Sequence, residues 1–318
     1  MTKLPYDPLR KSLYTTTELM AGYDGASPET ALDAVIAKHY HDAGGIAPDT
    51  GEALTQRLHD FGIDRALLAF LKDDGSGKER KVVGIMGGHS MARTDPDYVR
   101  IFELAFLLGQ AGYCVVTGGG LGAMEAGNVG AYLAAYPENE AKACLAEMQN
   151  IPSYPGHEAA FINQSLEVRR KYSSGTHNLG VPTWTYAGEP ISQFATHLAK
   201  YFSNSIREDG LLGIAKHGVV FAPGGAGTMQ EVFQDASHNA YRSYGFVAPM
   251  VFMGAVYTDP PSAYNVALAV ARPYKFDDLL ASLDKPADVL AFLQSHPPRL
   301  SAGESKTQAS AWSTYHLN

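Results

Sequence analysis

The sequence predicts an α/β fold in which helices cover both faces of a doubly wound parallel sheet, preceded by a mainly helical N-terminal segment. Two observations support this prediction. From Lys81 onward, short apolar runs alternate with amphipathic helical patterns, and three of the runs end in glycine-rich turns. Strands separated by helices form parallel sheets, which bind ligands at the carboxyl ends of their strands. A chain of 318 residues is long enough for one such domain and an appendage.

The first 80 residues contain no strong strand pattern and are predicted to be a mainly helical N-terminal extension, residues 1–80. One helix is expected over residues 27–40, beginning at a capping pattern, and a second over residues 50–71. A polar turn at residues 73–78 then marks the boundary at which the alternation of strands and helices begins.

The elements of the following domain, predicted to span residues 81–297, come in alternating order. Strands are expected over residues 81–86, 113–117, 183–187, 219–222 and 249–253. Helices are expected over residues 97–110, 123–135, 192–206 and 228–240. Residues 137–189 are rich in Gly, Pro, Ser and Tyr and are predicted to form an irregular insertion near the site. Residues 298–318 are predicted to be a loosely ordered tail.

Composition excludes several classes of protein. A formal charge of −8 argues against a general binder of nucleic acid polymers, which usually presents a basic face. Cys114 and Cys144 lack a metal or redox spacing, and the histidines lack the spacing of a zinc site. The first residues lack the apolar core of a signal peptide, and no apolar run is long enough to span a bilayer. We therefore expect a cytoplasmic protein without membrane contact.

Three glycine-rich turns follow three of the predicted strands: GGHS (87–90), TGGGLGAMEA (117–126) and PGGAGTMQE (223–231). A glycine turn that ends a strand and opens a helix lets backbone N–H groups approach a phosphate, and the helix dipole adds positive potential. None of the turns has the ending of a P-loop, and the second lacks dinucleotide-binding spacing. Glycine also serves close packing of strand and helix, but three turns together favour a nucleotide-like site.

Two charged residues accompany the third turn. Glu231 lies one helical turn beyond the glycines, where a carboxylate is a poor phosphate ligand but a suitable acid–base or charge-stabilising group. Arg207 stands at the end of the predicted helix 192–206, where it pairs with a phosphate, orients Glu231, or balances the helix dipole. On the sequence alone, the last of these roles is favoured.

The motifs TGGGLGAMEAGNVGA (117–131) and PGGAGTMQE (223–231) resemble those of the LONELY GUY (LOG) family of nucleoside 5′-monophosphate phosphoribohydrolases and of related pyrimidine/purine nucleotide nucleosidases. The second motif conforms to that family's P-G-G-x-G-T-x-x-E throughout. The similarity covers roughly residues 81–255. It implies a Rossmann-like domain that hydrolyses the N-glycosidic bond of a nucleoside 5′-monophosphate to free base and ribose 5-phosphate, without a cofactor or metal, in a homodimer or larger homo-oligomer.

The resemblance also implies roles for individual residues. Arg207 and Glu231 would be the catalytic pair. The phosphate would be held by Gly224, Gly225, Gly227 and Thr228, and the nucleotide pocket would be lined by Gly88, Ser90, Gly119 and Gly120. The sequence departs from the family pattern at Leu121, where proline is usual, and at Glu208, where lysine is usual. The second departure removes a positive charge beside the site.

Two other functions remain open from the sequence. A non-catalytic nucleotide-binding or carrier protein on the same fold would bind nucleotide without releasing base. An amino-acid decarboxylase would need a lysine for pyridoxal phosphate, and no lysine stands in a recognisable cofactor context. The group Tyr241, Arg242, Tyr244 and Phe246 is expected to form a subunit contact in preference to stacking on a base. The sequence does not specify which base the nucleotide carries.

Overall fold

Seven parallel strands form the main sheet of the computed structural model, which describes residues 4–186, 188–260 and 262–301. The strands are β1 (Lys81–Met86), β2 (Tyr113–Thr117), β3 (Leu179–Gly180), β4 (His197–Leu198), β5 (Val219–Phe221), β7 (Met250–Phe252) and β8 (Leu280–Ser282). Their order is β4-β3-β2-β1-β5-β7-β8. The chain therefore starts in the middle of the sheet, winds out to one edge and returns to wind out to the other. This reversal places a topological switch point between β1 and β5, and the predicted Rossmann-like α/β fold is confirmed.

Helices cover both faces of this sheet. After β1 they are α4 (Pro96–Gln110), α5 (Ala123–Leu133), α6 (Glu138–Met148), α7 (Glu158–Lys171), α8 (Asn204–Ile214), α9 (Ala226–Tyr241), α10 (Ala263–Ala271) and α11 (Pro286–Ser295). Successive residues of β1 point to opposite faces, so Val82 and Met86 join one apolar cluster while Val83 and Ile85 join the other. The first cluster is covered by α8, α9 and α10, and the second by α4, α5 and α11.

The N-terminal helices are α1 (Thr16–Leu19), α2 (Leu32–Asp42) and α3 (Thr50–Lys72). Their apolar residues, Leu19, Ile36 and Ile63 among them, belong to the same cluster as Val82 of the central strand. Tyr14 and Leu198 also exchange two backbone hydrogen bonds of 2.9 Å as an isolated antiparallel bridge. The N-terminal segment thus shares the core of the sheet and covers its edge at β4.

The predicted strand 183–187 and the predicted helix 192–206 are both wrong. The strand formed in this region is β3, which lies next to the edge strand β4. Beyond β3, Pro182, which has no N–H to donate, ends the ladder, so Thr183 makes only an isolated bridge. Ala187 lies outside the described residues. Residues 192–203 contain β4 instead of a helix. Buried residues four apart (Phe194 with Leu198) imitate a helical stripe, but the two residues belong to the two different apolar clusters of the fold.

Two other segments differ from expectation. Residues 137–189 are not irregular throughout, because they contain α6 and α7, whose buried residues pack on the core. Within the predicted tail 298–318, β9 (Arg299–Leu300) pairs antiparallel with β6 (Phe246–Val247), and residues 302–318 lie outside the described part of the chain. Among the described residues, no helix is both long and apolar enough to cross a membrane.

Candidate functional site

The three glycine turns meet at the carboxyl ends of neighbouring strands. The N–H of Gly88, after β1, donates to the carbonyl of Pro223, after β5, at 2.9 Å. The N–H of Ala123, at the start of α5, donates to the carbonyl of Gly88 at 3.0 Å. Because β1 lies between β2 and β5 in the sheet, its turn joins the other two backbone to backbone. Ser90 is exposed at the rim of this arrangement.

Several of the glycines are required by packing. A Cβ at Gly122 would overlap the carbonyl of Gly88, one at Gly224 would overlap the Thr228 side chain, and one at Gly118 would overlap the Arg207 guanidinium. Gly119 adopts a φ of +75° and has Pro182 within 2.9 Å of where its Cβ would lie. For these glycines, close approach of backbone and side chains explains the residue without any ligand.

Gly225 and Gly227 are different. Neither has a positive φ, and a Cβ at either would have no atom within 4 Å. Gly227 lies in the first turn of α9, where glycine is about 1 kcal/mol less favourable than alanine. Both are exposed at the helix start, which has no side-chain cap. Packing therefore does not explain them, whereas access of a ligand to the free N–H groups of the first turn does.

Arg207 lies in the first turn of α8, not at the end of a helix as predicted. A cation at that position is unfavourable to the helix dipole, so the dipole-balancing role favoured from sequence is wrong. The side chain is 9% exposed, and its Nε donates to the carbonyl of Val181 at 2.7 Å. The guanidinium lies against Gly118, so its remaining N–H groups are held beside the second glycine turn.

Glu231 lies on α9, one turn beyond the glycines, and is partly buried. Burial raises the pKa of its carboxyl to about 7; the charge of Arg207 opposes this shift and that of Glu208 reinforces it. Arg207 and Glu231 thus face the same region and interact electrostatically. A carboxyl with a pKa near neutrality is suited to accepting and returning a proton.

Glu208, the departure from the family pattern, is fixed between two helices. Its carboxylate accepts hydrogen bonds from Asn204 Nδ2 of the same helix at 2.7 Å and from Gln230 Nε2 at 3.0 Å, and the second bond links α8 to α9. Its negative charge is therefore held beside Glu231, where a lysine would have the opposite effect on the pKa of the Glu231 carboxyl.

Sequence patterns do not predict a role for Asp60. This residue of α3 is 1% exposed and accepts the N–H groups of Phe202 and Ser203 at 3.0 and 2.9 Å. The Ser203 carbonyl in turn accepts the N–H of Arg207 at 3.1 Å. The N-terminal segment therefore holds the start of the helix that carries Arg207. No local pattern reveals this, since the partners are far apart in the chain.

The acidic residue of the second turn, Glu125, belongs to the core and not to the site. It is 2% exposed and accepts hydrogen bonds from Arg93 Nε at 3.0 Å and from the Tyr98 hydroxyl at 2.9 Å. Arg93 also lies over the Phe161 ring, 3.4 Å from its centroid. This buried ion pair ties the chain after β1 to α5 and α7, so it supports the turns without facing a ligand.

The aromatic group after α9 does not form one surface. Tyr244 and Phe246 are buried, which excludes both a subunit contact and base stacking for them. Tyr241 is 73% exposed, with the Tyr274 ring 5.9 Å away. Among the described residues, no group of three or more His, Cys, Asp and Glu side chains could hold a metal ion.

The fold and the joined glycine turns define a Rossmann-like α/β protein in which an uncapped, glycine-rich helix start lies at the switch point. No protein-family model matches the chain, and neither does any curated protein. Among solved structures it is similar to the molybdenum cofactor binding protein from Rippkaea orientalis, with 15% identity over 68% of this chain and 97% of that chain and a TM-score of 0.44. It is also similar to the Moco carrier protein from Chlamydomonas reinhardtii, with 19% identity, 68% and 97% coverage, and a TM-score of 0.43. These likenesses concern the fold alone.

Proposed function

We propose that this protein hydrolyses the N-glycosidic bond of a nucleoside 5′-monophosphate, as its resemblance to the LOG family implies. The observation that carries the proposal is the start of α9. There, Gly225 and Gly227 are left open by packing, and Glu231, whose carboxyl has a pKa of about 7, lies one turn further along. A phosphate bound at the start of this helix would bring the reacting sugar within reach of the Glu231 carboxyl.

The phosphate would bind at the N-terminus of α9. The first-turn N–H groups of a helix lack intrahelical partners and, with the helix dipole, favour an anion. Thr228 contributes a hydroxyl in that turn, and its side chain already lies against Gly224. The methyl-free positions 225 and 227 let the phosphate oxygens reach the backbone.

The reaction is the addition of one water molecule across the C1′–N bond. As that bond breaks, its electron pair goes to the base, and positive charge develops on C1′ and the ring oxygen. Glu231, when ionised, stabilises that charge and accepts a proton from the attacking water, whose oxygen bonds to C1′. The base leaves with one proton, and ribose 5-phosphate is the second product. Arg207 opposes the upward shift of the Glu231 pKa and so increases the ionised fraction.

A non-catalytic carrier is the second candidate, and one observation favours it. Glu208 raises the pKa of the Glu231 carboxyl, so a substantial fraction of Glu231 is protonated at neutral pH and lacks the charge that the reaction needs. A carrier would bind the nucleotide at the same turns and release it intact.

The experiment that separates the two incubates the protein with a panel of nucleoside monophosphates and measures free base and ribose 5-phosphate. Glu231→Gln is the test variant, and Glu167→Gln, an exposed residue of α7, is the matched control. If the protein is a hydrolase, wild type and Glu167→Gln release base, and the rate of base release falls at least a hundredfold in Glu231→Gln. Nucleotide bound without any release of base would establish the carrier instead.

A further inference from the structure

A cavity of about 810 Å³ lies beside the glycine turns. Its walls come from the N-terminal segment around α2, from the start of α7, and from residues 183, 184, 186 and 188–191, which follow β3. Lys200, just beyond β4, also lines it. Both β3 and β4 point their carboxyl ends toward this cavity, so it opens on the same edge of the sheet as the turns after β1, β2 and β5.

Glu189 connects the cavity to the turns. It lines the cavity, and its Oε1 lies so close to Gly120 that a Cβ at Gly120 would overlap it. The carboxylate therefore lies directly against the turn whose neighbouring residue, Gly118, contacts Arg207. In the described part of the chain, the Glu189 carboxylate accepts no hydrogen bond. Its acceptor capacity is left for a ligand.

The charges in the cavity exclude a phosphate from it. Four carboxyl groups, two lysines and two histidines line the walls: Glu29, Asp33, Glu158, Glu189, Lys38, Lys200, His41 and His157. Both lysines are already paired, Lys38 with Asp42 at 2.5 Å and Lys200 with Asp33 at 2.7 Å. The net potential is therefore negative, which repels an anion and attracts hydrogen-bond donors.

The remaining lining is mostly apolar. Met20, Ala31, Ala34, Ala37 and Ile191 contribute to it, and the Trp184 indole N–H is already bound to Asp33 at 2.9 Å. Apolar walls with a few fixed polar groups are typical of pockets for flat organic ligands, and about 300–1,000 Å³ is the usual range of volume.

We propose that this cavity holds the base of the nucleotide and that Glu189 selects a base with two adjacent N–H donors, as on the edge of guanine that carries the ring N–H and the amino group. The proposal rests on the proposed function, because it takes the phosphate to be bound at the start of α9. Two parallel N–H donors satisfy both oxygens of a carboxylate at once. Adenine presents a ring-nitrogen acceptor on the corresponding edge, which a carboxylate repels. The N-terminal segment thereby forms part of the specificity site.

The test measures dissociation constants for GMP, AMP and ribose 5-phosphate by calorimetry, in proteins that all carry Glu231→Gln so that nucleotide is not consumed. Three further substitutions are compared. Glu189→Gln removes the acceptor charge, Ala34→Trp fills the cavity from α2, and Val35→Trp places the same side chain at an adjacent exposed position outside the cavity lining. Circular dichroism confirms that each variant is folded.

In the protein that carries Glu231→Gln alone, we expect GMP to bind at least tenfold more tightly than AMP. Glu189→Gln should remove most of this preference, and Ala34→Trp should weaken GMP binding at least tenfold. Neither substitution should change the affinity for ribose 5-phosphate, and Val35→Trp should change no affinity. Equal affinity for GMP and AMP, or GMP binding that is indifferent to Ala34→Trp, overturns the proposal and leaves the proposed function intact. If the variants show the expected binding pattern but the protein that retains Glu231 releases no base, the base site is supported and the proposed hydrolase activity is refuted. If no nucleotide binds, both the base site and the proposed function are refuted.

Discussion

Gly227→Ala separates the stability of α9 from its ability to bind a phosphate. The added methyl group meets no atom within 4 Å, and the backbone conformation suits alanine. Replacing glycine by alanine at such a position stabilises a protein by about 0.4–1 kcal/mol, because the unfolded chain loses more freedom than the folded one. For a chain of this length, that raises Tm by roughly 1–2 °C.

The same methyl group projects into the space that the phosphate would occupy. A hydrogen bond from a backbone N–H to a charged group contributes about 1.5–3 kcal/mol. Loss of one such bond weakens binding by roughly ten- to a hundredfold. The variant is therefore expected to be more stable than wild type and a poorer binder, the opposite of what a packing glycine would give.

The assay combines urea unfolding with calorimetric titration of ribose 5-phosphate. Gly51→Ala is the matched control, because Gly51 also lies in the first turn of a helix, α3, and is exposed. Its binding should not change, and its gain in stability should be smaller than that of Gly227→Ala, because its Cβ would lie 3.3 Å from Asp49 Oδ1. Gly118→Ala should instead lose stability, because its Cβ overlaps Arg207 and lies 2.6 Å from the sulfur of Met124. Wild-type affinity for ribose 5-phosphate in Gly227→Ala would refute the assignment of the phosphate to this helix.

Three further predictions concern charged groups. If ionised Glu231 is the general base, kcat/KM should rise with pH up to about 7 and then level off. Glu208→Gln should move this rise to lower pH, and an unchanged pH profile would contradict the effect of Glu208 on the pKa of the Glu231 carboxyl. Asp60→Ala leaves two buried N–H groups unpaired and should lower the free energy of unfolding by about 2–4 kcal/mol in urea titrations, with reduced turnover because the helix of Arg207 is no longer held. Folding raises the pKa of the Asp235 carboxyl from 3.8 to about 7, so its stabilising contribution is complete below about pH 4 and is lost as the pH rises through 7. The free energy of unfolding of wild type should therefore fall by up to about 4 kcal/mol more than that of Asp235→Asn between pH 4 and 8, and parallel curves would contradict this.

The central strands and their glycine turns were predictable because their pattern is local. Residues 82–86 of β1 are free of polar side chains and buried since both faces of the strand are covered, and a glycine cluster marks where the strand ends. The edge of the sheet was not predictable in this way. β3 and β4 contain two residues each, too few for any period, and their pairing depends on an N-terminal segment distant in sequence.

The same distinction between local patterns and contacts of distant segments applies to the site. The third glycine turn and Glu231 are read from one continuous motif. The position of Arg207 in its helix is not predictable in this way, because the bounds of that helix are set by tertiary burial. Asp60 and Glu189 were missed because each acts through a contact between distant segments. A surface carboxylate in an irregular stretch has no sequence pattern of its own.

The bridge between Tyr14 and Leu198 also sets the order in which this chain can fold as it is synthesised. The N-terminal helices leave the ribosome first, with Ile36 and Ile63 still lacking the partners that bury them. At about 5–20 residues per second, roughly ten to forty seconds separate the synthesis of Tyr14 from that of Leu198. Throughout that interval the N-terminal segment has no sheet edge to cover, and a chaperone that binds exposed apolar helices is expected to associate with the nascent chain until β4 emerges.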